Sequence, residues 1–276
     1  MAAEGGLLER DLTAGVLTYE AAAELLAALW IKLYQLHDVQ QMTLGGQKSW
    51  SGDATNPLSY LALDVTEGLG LARCVSVRLH KGSPPEFVAR CVDLLAGGDG
   101  IPLIFNDEAL VPALVSNGIP LEDARSYAAI GCVETTIPGK AAPHTVSHWI
   151  NLAKCLELAL NDGVCLLDGA EVGPKTGTLA DFGSMAEVLA ACSEQLTHFA
   201  ELAVYGSNST EPAQRAQCRL PYLSLLTEDC VRNGVDIMEG GARHNYHSSA
   251  AMGIANVADS LAVLDKVVFA EQHVSR

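Results

Sequence analysis

Apolar residues recur at helical spacing in several parts of the chain. Over residues 19–36 they fall on one side of a helix, and Thr18 is available to cap its first turn. The apolar residues on this predicted face are Ala22, Leu25, Leu26, Leu29, Leu33 and Leu36. Further helices are predicted over residues 147–160, 184–205 and 256–269, and Ser184 and Glu187 form a possible capping box at the start of the second of these.

Another helix has both a start signal and a stop signal. It is predicted to begin in Ser83-Pro84-Pro85-Glu86, where Ser83 and Glu86 can form a capping box and a proline occupies the first turn. Gly97-Gly98 is predicted to end it.

Strand patterns lie on either side of that helix. Residues 75–80 alternate apolar and polar side chains, as a strand with one buried face does, and residues 101–105 form a short apolar run typical of a buried strand. Asp168-Gly169 is typical of a tight turn. Because helices and strands alternate, we expect an α/β fold. No internal repeat or domain linker is evident.

Composition narrows the possible functions. The chain has 276 residues, 49% of them hydrophobic, which is enough for a substantial core, but no apolar run reaches the roughly 20 residues of a membrane-spanning helix. The N-terminus has no basic region ahead of an apolar stretch, so we expect a cytoplasmic location without membrane attachment. The net charge of −16 would repel a phosphate backbone, which argues against nucleic-acid binding. The eight cysteines include no C-x-x-C pair, so neither a metal site nor a disulfide framework is predicted.

The segment Gly131-Cys132-Val133-Glu134 is the main candidate for chemistry. It follows a short apolar run, so the end of a strand would present it, and a thiol and a carboxylate two residues apart can reach the same small substrate. Cys132 could act as a nucleophile held as thiolate by His144 or His148. Alternatively it could act as a thiyl radical that removes a hydrogen atom, with Glu134 as the proton acceptor. The spacing alone leaves both open.

With this segment, the chain resembles the glycyl radical enzymes. The likeness includes Phe105-Asn106-Asp107-Glu108 and Gly240-Gly241-Ala242-Arg243. It extends, in the order of the family, to residues 76–80, 121–125, 151–154, 156–160 and 255–261.

The resemblance implies roles, a fold and partners. Cys132 matches the family's thiyl-radical cysteine and Glu134 its catalytic base, in a ten-stranded α/β barrel. Residues 1–276 are expected to form the central portion of this barrel domain, without the C-terminal glycyl radical domain and without activity alone. The implied partners are a small-molecule substrate, a radical S-adenosylmethionine activating enzyme that installs the glycyl radical and, where that radical lies on another chain, a separate glycyl-domain polypeptide. The full-length enzyme is expected to be a homodimer.

Comparison of the family's branches suggests a reaction. The single cysteine disfavours formate C-acetyltransferase, whose members use two adjacent cysteines, and Val146 stands where diol dehydratases carry an aspartate. The threonine at position 135, directly after Glu134, resembles the residue pattern of the trans-4-hydroxyproline dehydratase branch. We therefore expect a radical-dependent lyase or dehydratase that cleaves a C–O bond, or a C–N or C–S bond, of a small polar substrate. The alternatives are another branch of the family and a non-catalytic remnant that only binds a partner.

Other polar residues are assigned lesser roles. His144 and His148 are candidate substrate-binding residues, with a surface or capping role as the alternative. Asp107 and Glu108 are predicted to lie in the first turn of a helix. Arg78 and His80 either point into a barrel interior or form structural ion pairs.

Overall fold

The computed structural model describes residues 2–35, 41–70, 75–98, 100–131, 133–143 and 147–273. These fall into two compact units, one made of residues 1–141 with 226–229, the other of residues 142–225 with 230–276. No helix in the described ranges combines the length and the apolar character needed to cross a bilayer.

Within its described residues, the first unit has a three-stranded parallel sheet in the order β1-β2-β3, a two-stranded antiparallel hairpin of β4 and β5, and six helices. Its elements in chain order are α1 (Ala2–Thr13), α2 (Tyr19–Gln35), β1 (Met42–Gly45), α3 (Pro57–Leu69), β2 (Val75–Leu79), α4 (Pro85–Ala96), β3 (Leu103–Asn106), α5 (Asp107–Ser116), α6 (Leu121–Arg125), β4 (Ala128–Ile130) and β5 (Glu134–Thr136).

Strand β2 confirms the predicted strand but not its predicted single buried face. Ser76 and Arg78 are buried along with Val75 and Val77, because β2 is the central strand of the parallel sheet. The main core of this unit forms around β2 from Trp30, Leu44, Ala62, Leu63, Val75, Val77, Phe87, Cys91 and Leu94.

The predicted strand over residues 101–105 forms as β3, but only Phe105 is buried in it and Ile104 is 47% exposed. Its expected burial is therefore wrong. The strand lies at one end of the three-stranded order, where no strand of the described residues pairs with its outer side.

Helix α2 has the predicted start, since the Thr18 hydroxyl accepts a hydrogen bond from the Ala21 amide at 3.2 Å. Its buried side differs from the predicted one: Leu25 and Leu29 are exposed, whereas Trp30 is buried. The indole of Trp30 packs in the core because its N–H donates to the Thr66 hydroxyl at 3.0 Å. Leu36 lies outside the described residues.

Helix α4 begins and ends near the predicted positions, but its predicted capping box is wrong. The Ser83 hydroxyl accepts from the His80 amide at 3.0 Å, and Pro84 stands at the N-cap without a side-chain bond. The serine therefore closes the turn after β2 rather than the first turn of the helix.

The described residues of the second unit form a pair of parallel strands and five α-helices. Its elements are β6 (His148–Asn151), α7 (Leu152–Ala159), α8 (Met185–Gln217), α9 (Pro221–Leu225), α10 (Cys230–Asn233), β7 (Ser249–Met252) and α11 (Ile254–Val263), which a π-helical segment (Leu264–Ala270) continues. A turn forms at Asp168-Gly169 as predicted, with the Gly169 amide donating to the Cys165 carbonyl.

Two predicted helices of this unit need correction. The helix expected over residues 147–160 begins only at Leu152, because residues 148–151 pair with β7 and the Asn151 side chain caps α7 by accepting from the Lys154 amide at 3.0 Å. Helix α8 has Ser184 as its N-cap, as predicted, but continues twelve residues beyond Tyr205. Its last third is largely polar and exposed, so no apolar pattern marked it.

Candidate active site

The candidate segment lies on the tight connection between β4 and β5. Ile130 pairs with Glu134 across the hairpin, so residues 131–133 form the whole connection. The strand that was expected to present this segment therefore ends directly before it. Cys132 lies outside the described residues, and Glu134 is the first residue of β5.

The carboxylate of Glu134 folds back over its own connection. Its Oε2 accepts a hydrogen bond from the Val133 amide at 2.9 Å. Gly131 has φ +61°, and a Cβ there would lie 2.5 Å from Glu134 Oε2. A glycine at position 131 therefore allows the left-handed backbone conformation and leaves free the space that the Glu134 carboxylate occupies.

Strand β4 is held by polar contacts from the main sheet. The Thr43 hydroxyl in β1 accepts from the Ala129 amide at 3.1 Å. Arg78 in β2 donates through Nη1 to the Tyr127 carbonyl at 2.7 Å and through Nη2 to the Arg125 carbonyl at 2.8 Å. The backbone just before the hairpin is thus tied to two neighbouring strands.

Arg78 also forms a buried, two-pronged ion pair with Asp107. Nε lies 3.0 Å from Oδ1 and Nη2 lies 2.8 Å from Oδ2, and the side chains are 6% and 0% exposed. Asp107 further accepts from the Tyr127 hydroxyl at 2.8 Å and from the Gln47 amide at 2.9 Å. Burial, followed by the adjacent Asp107 carboxylate, raises the pKa of Tyr127.

These contacts refine the roles expected of the polar residues on β2 and α5. Asp107 does begin helix α5, but the sequence did not reveal that it also pairs with Arg78. Of the alternatives for Arg78 and His80, a structural ion pair forms at Arg78, and His80 Nε2 lies 3.0 Å from Asp53 Oδ1. The sequence did contain a signal for a buried ion pair, namely an arginine inside an apolar strand. A buried guanidinium requires a partner.

His148, the other described candidate, belongs to the second unit, whereas Glu134 belongs to the first. His148 begins β6, with Nδ1 lying 3.1 Å from the Ser207 hydroxyl and Nε2 bonded to the Ser249 hydroxyl. A cavity of about 480 Å³ adjoins it, lined also by Ser147, Thr210 and His247 among others. His144 and Val146 lie outside the described residues.

Two cysteines on helices of the second unit pack against its interior. Cys155 in α7 is buried, and Cys192 in α8 lies against the core of the second unit. Burial raises the pKa of Cys192 to about 11, so this thiol stays protonated near neutral pH.

The described residues thus form an α/β framework in which Ile130 and Glu134 pair on either side of a tight hairpin connection. The pyruvate formate lyase-like family model matches residues 7–276. The chain belongs to this family.

Three relatives illustrate the membership. The chain is 33% identical to (2S)-3-sulfopropanediol dehydratase of Klebsiella oxytoca over 96% of its own length and 34% of that protein's. It is similar to the glycerol-bound B12-independent glycerol dehydratase of Clostridium butyricum, with 34% identity, TM-score 0.77, and coverage of 94% of this chain and 35% of that one. It is also similar to the hydroxyproline dehydratase of Clostridioides difficile with trans-4-hydroxy-L-proline bound, with 30% identity, TM-score 0.79, and coverage of 97% and 36%.

These similarities confirm the resemblance and the α/β fold class deduced from the sequence. The chain spans about a third of the length of the relatives it matches, so it corresponds to part of their barrel.

Proposed function

We propose that this chain supplies the reacting cysteine and carboxylate of a radical-dependent dehydratase or lyase that acts on a small polar substrate. The observation that carries the proposal is the pairing of Ile130 with Glu134 on either side of the hairpin connection, in a chain that the family model matches almost throughout. Dehydratases are prominent among its relatives.

The proposed reaction begins with a thiyl radical on Cys132. The sulfur takes a hydrogen atom from a substrate C–H bond near the leaving hydroxyl, which leaves a thiol and a carbon radical. Glu134 accepts a proton from a polar group of the substrate and returns it to the departing hydroxide, so that water leaves. The product radical then takes the hydrogen atom back from the Cys132 thiol, and the thiyl radical is regenerated. The net change is the loss of one water molecule.

The wider assembly is part of the same proposal. Residues 1–276 would form the central portion of the barrel domain. A glycyl radical carried by a polypeptide segment outside these residues, on the same chain or a separate one, would generate the thiyl radical. A radical S-adenosylmethionine activating enzyme would install it. The complete enzyme would be a homodimer in the cytoplasm.

Two substrate classes are favoured by separate observations. Thr135 resembles the hydroxyproline branch, and the chain is 31% identical to the C. difficile trans-4-hydroxy-L-proline dehydratase. A small diol is the second candidate, because identity to the glycerol dehydratase reaches 34%. His144 and His148 are the proposed contacts to substrate hydroxyl or carboxylate groups, since imidazole can donate to or accept from either.

The decisive experiment is anaerobic turnover by the complete enzyme. This protein, its glycyl-bearing segment and an activating enzyme are combined, and radical content is measured by electron paramagnetic resonance. Trans-4-hydroxy-L-proline, glycerol, 1,2-propanediol and (2S)-3-sulfopropanediol are then offered, with dehydration products followed by mass spectrometry. We expect turnover of one substrate class.

Two variants test the assigned roles. Cys132→Ala should abolish turnover while the glycyl radical still forms, because the radical is stored elsewhere. Glu134→Gln should lower kcat by at least about a hundredfold, the usual contribution of a general base. Turnover retained by Cys132→Ala would overturn the proposal. An activated enzyme that binds substrates without converting any of them would favour the non-catalytic alternative.

A further inference from the structure

We infer that Arg78, Asp107 and Tyr127 are positioning residues that fix the backbone leading into the Cys132 connection. The inference deepens the proposed function and rests on it, because the hairpin matters to the reaction only if Cys132 and Glu134 react. None of the three side chains needs to touch substrate.

Packing alone gives no reason to bury this ion pair. Removing two charges from water carries a desolvation cost that an apolar core avoids, and replacing such pairs with apolar residues is often neutral or stabilising. Asp107 is nevertheless 0% exposed, and its carboxylate receives four donors. The pair therefore has a use other than filling space.

That use is visible in where the guanidinium points. Besides its two bonds to Asp107, Arg78 donates to the carbonyls of Arg125 and Tyr127. These are backbone atoms of the segment that immediately precedes β4. A planar guanidinium can hold a carboxylate and two carbonyls at once, whereas a lysine ammonium lacks this fixed fork.

Tyr127 is held from both ends of its side chain. The Arg78 guanidinium carbon lies 3.9 Å from the centre of its ring, and its hydroxyl donates to Asp107. Strand β4 starts at the next residue, and Thr43 secures the Ala129 amide. Since Ile130 pairs with Glu134, a shift at Tyr127 would move both sides of the connection.

The turn that follows β1 leaves space for the Arg78 side chain. Gly46 has φ +85°, and a Cβ there would lie 2.7 Å from the Arg78 guanidinium carbon. Strand β1 therefore ends in a glycine turn that leaves room for this side chain beside the sheet.

The test uses the full chain with two changes in the cluster and one matched control. Arg78→Lys keeps the charge but loses the fork, and Tyr127→Phe keeps the ring but loses the hydroxyl donor. The control is Arg90→Lys, because Arg90 pairs with the Asp64 and Glu67 carboxylates through a similar fork on helices α3 and α4.

Hydrogen exchange read by mass spectrometry supplies the first measurement. We expect amides of residues 128–136 to exchange about tenfold faster in both cluster variants, because a lost buried hydrogen bond lowers the local opening free energy by about 1.4 kcal/mol. Amides of β1 and β2 should be unchanged, and Arg90→Lys should leave the hairpin at its original rate. A uniform increase across the unit, or no increase in the hairpin, would overturn the inference. If Arg78→Lys does not fold, Tyr127→Phe decides.

Kinetics of the complete enzyme supply the second measurement. Turnover per glycyl radical should fall at least about tenfold in Tyr127→Phe while KM changes less than about twofold, because misplacement of the reacting groups acts on the chemical step. Unchanged kcat would refute a positioning role. If the unaltered enzyme converts no substrate, the proposed function fails, and the exchange experiment still decides whether the cluster fixes the hairpin.

Discussion

The contact between Gly131 and the Glu134 carboxylate leads to a prediction for Gly131→Ala. The new Cβ would lie 2.5 Å from Glu134 Oε2 and 2.9 Å from its Cδ. A carboxylate is the mobile end of a flexible side chain, so we expect it to swing away rather than the backbone to shift. The swing would break its hydrogen bond with the Val133 amide.

Two costs add up in this variant. A residue other than glycine in the left-handed region costs about 1–2 kcal/mol. The lost hydrogen bond to a charged but only partly buried acceptor contributes about 1 kcal/mol more. The expected loss in the free energy of unfolding is therefore about 2–3 kcal/mol.

Gly70→Ala is the matched control. Gly70 has φ +57°, close to the value at Gly131, but a Cβ there would meet no atom within 4 Å. It should show the backbone cost alone, about 1–2 kcal/mol.

Urea unfolding of the chain measures these differences. Glu134→Ala is made in both the original and the Gly131→Ala background, so that a double-mutant cycle isolates the contact between the two residues. We expect a coupling of about 1 kcal/mol, the share assigned to the displaced carboxylate. If Gly131→Ala costs no more than Gly70→Ala, or if its cost is the same without Glu134, the contact does not govern the connection.

Three further predictions concern stability, and a fourth concerns thiol reactivity. Asn106→Ala removes the side chain that accepts from the Glu108 amide at 3.0 Å at the start of α5, and should lower the free energy of unfolding by about 1 kcal/mol in urea. Phe87→Ala, at a core position with 0% exposure, should cost about 3–5 kcal/mol in the same assay, and a loss below 1 kcal/mol would contradict the assigned core. Burial raises the pKa of Cys91 to about 11 from an ordinary value of 9.0, so between these pH values the folded chain keeps a proton that the unfolded chain releases. Stability should therefore fall as pH rises through this window, and less steeply in Cys91→Ala. Exposed Cys218 should be alkylated well before Cys91 at pH 8, as peptide mapping can show.

The elements predicted correctly are those with complete local signals. Ser184 caps α8, and Thr18 caps α2 by accepting from the Ala21 amide. The strand β2 and the end of α4 near Gly97 also follow from short-range patterns.

One error is local: Ser83 looks like a helix cap but closes a turn with His80, three residues before it. The other errors come from a partner distant in sequence. Residues 148–151 look helical alone but pair with β7, about a hundred residues later. Trp30 has a polar atom, and its burial depends on Thr66 in another helix.

The candidate site likewise has a part that the sequence indicated and a part that it did not. Gly131-Cys132-Val133-Glu134 is contiguous, so the sequence alone led to the candidate segment and to the family to which the chain belongs. The support beneath it is assembled from β2, α5 and the residues before β4, and no local pattern records that Arg78 and Asp107 meet.

The sequence by itself determined the α/β class, the family and the candidate reacting pair, because these depend on local patterns and short motifs. The tertiary structure alone decided which polar residues are buried together, which side of α2 faces the core, and how the hairpin is held. Such features depend on contacts between residues far apart in the chain, and a buried charge becomes tolerable only where folding brings its partners to it.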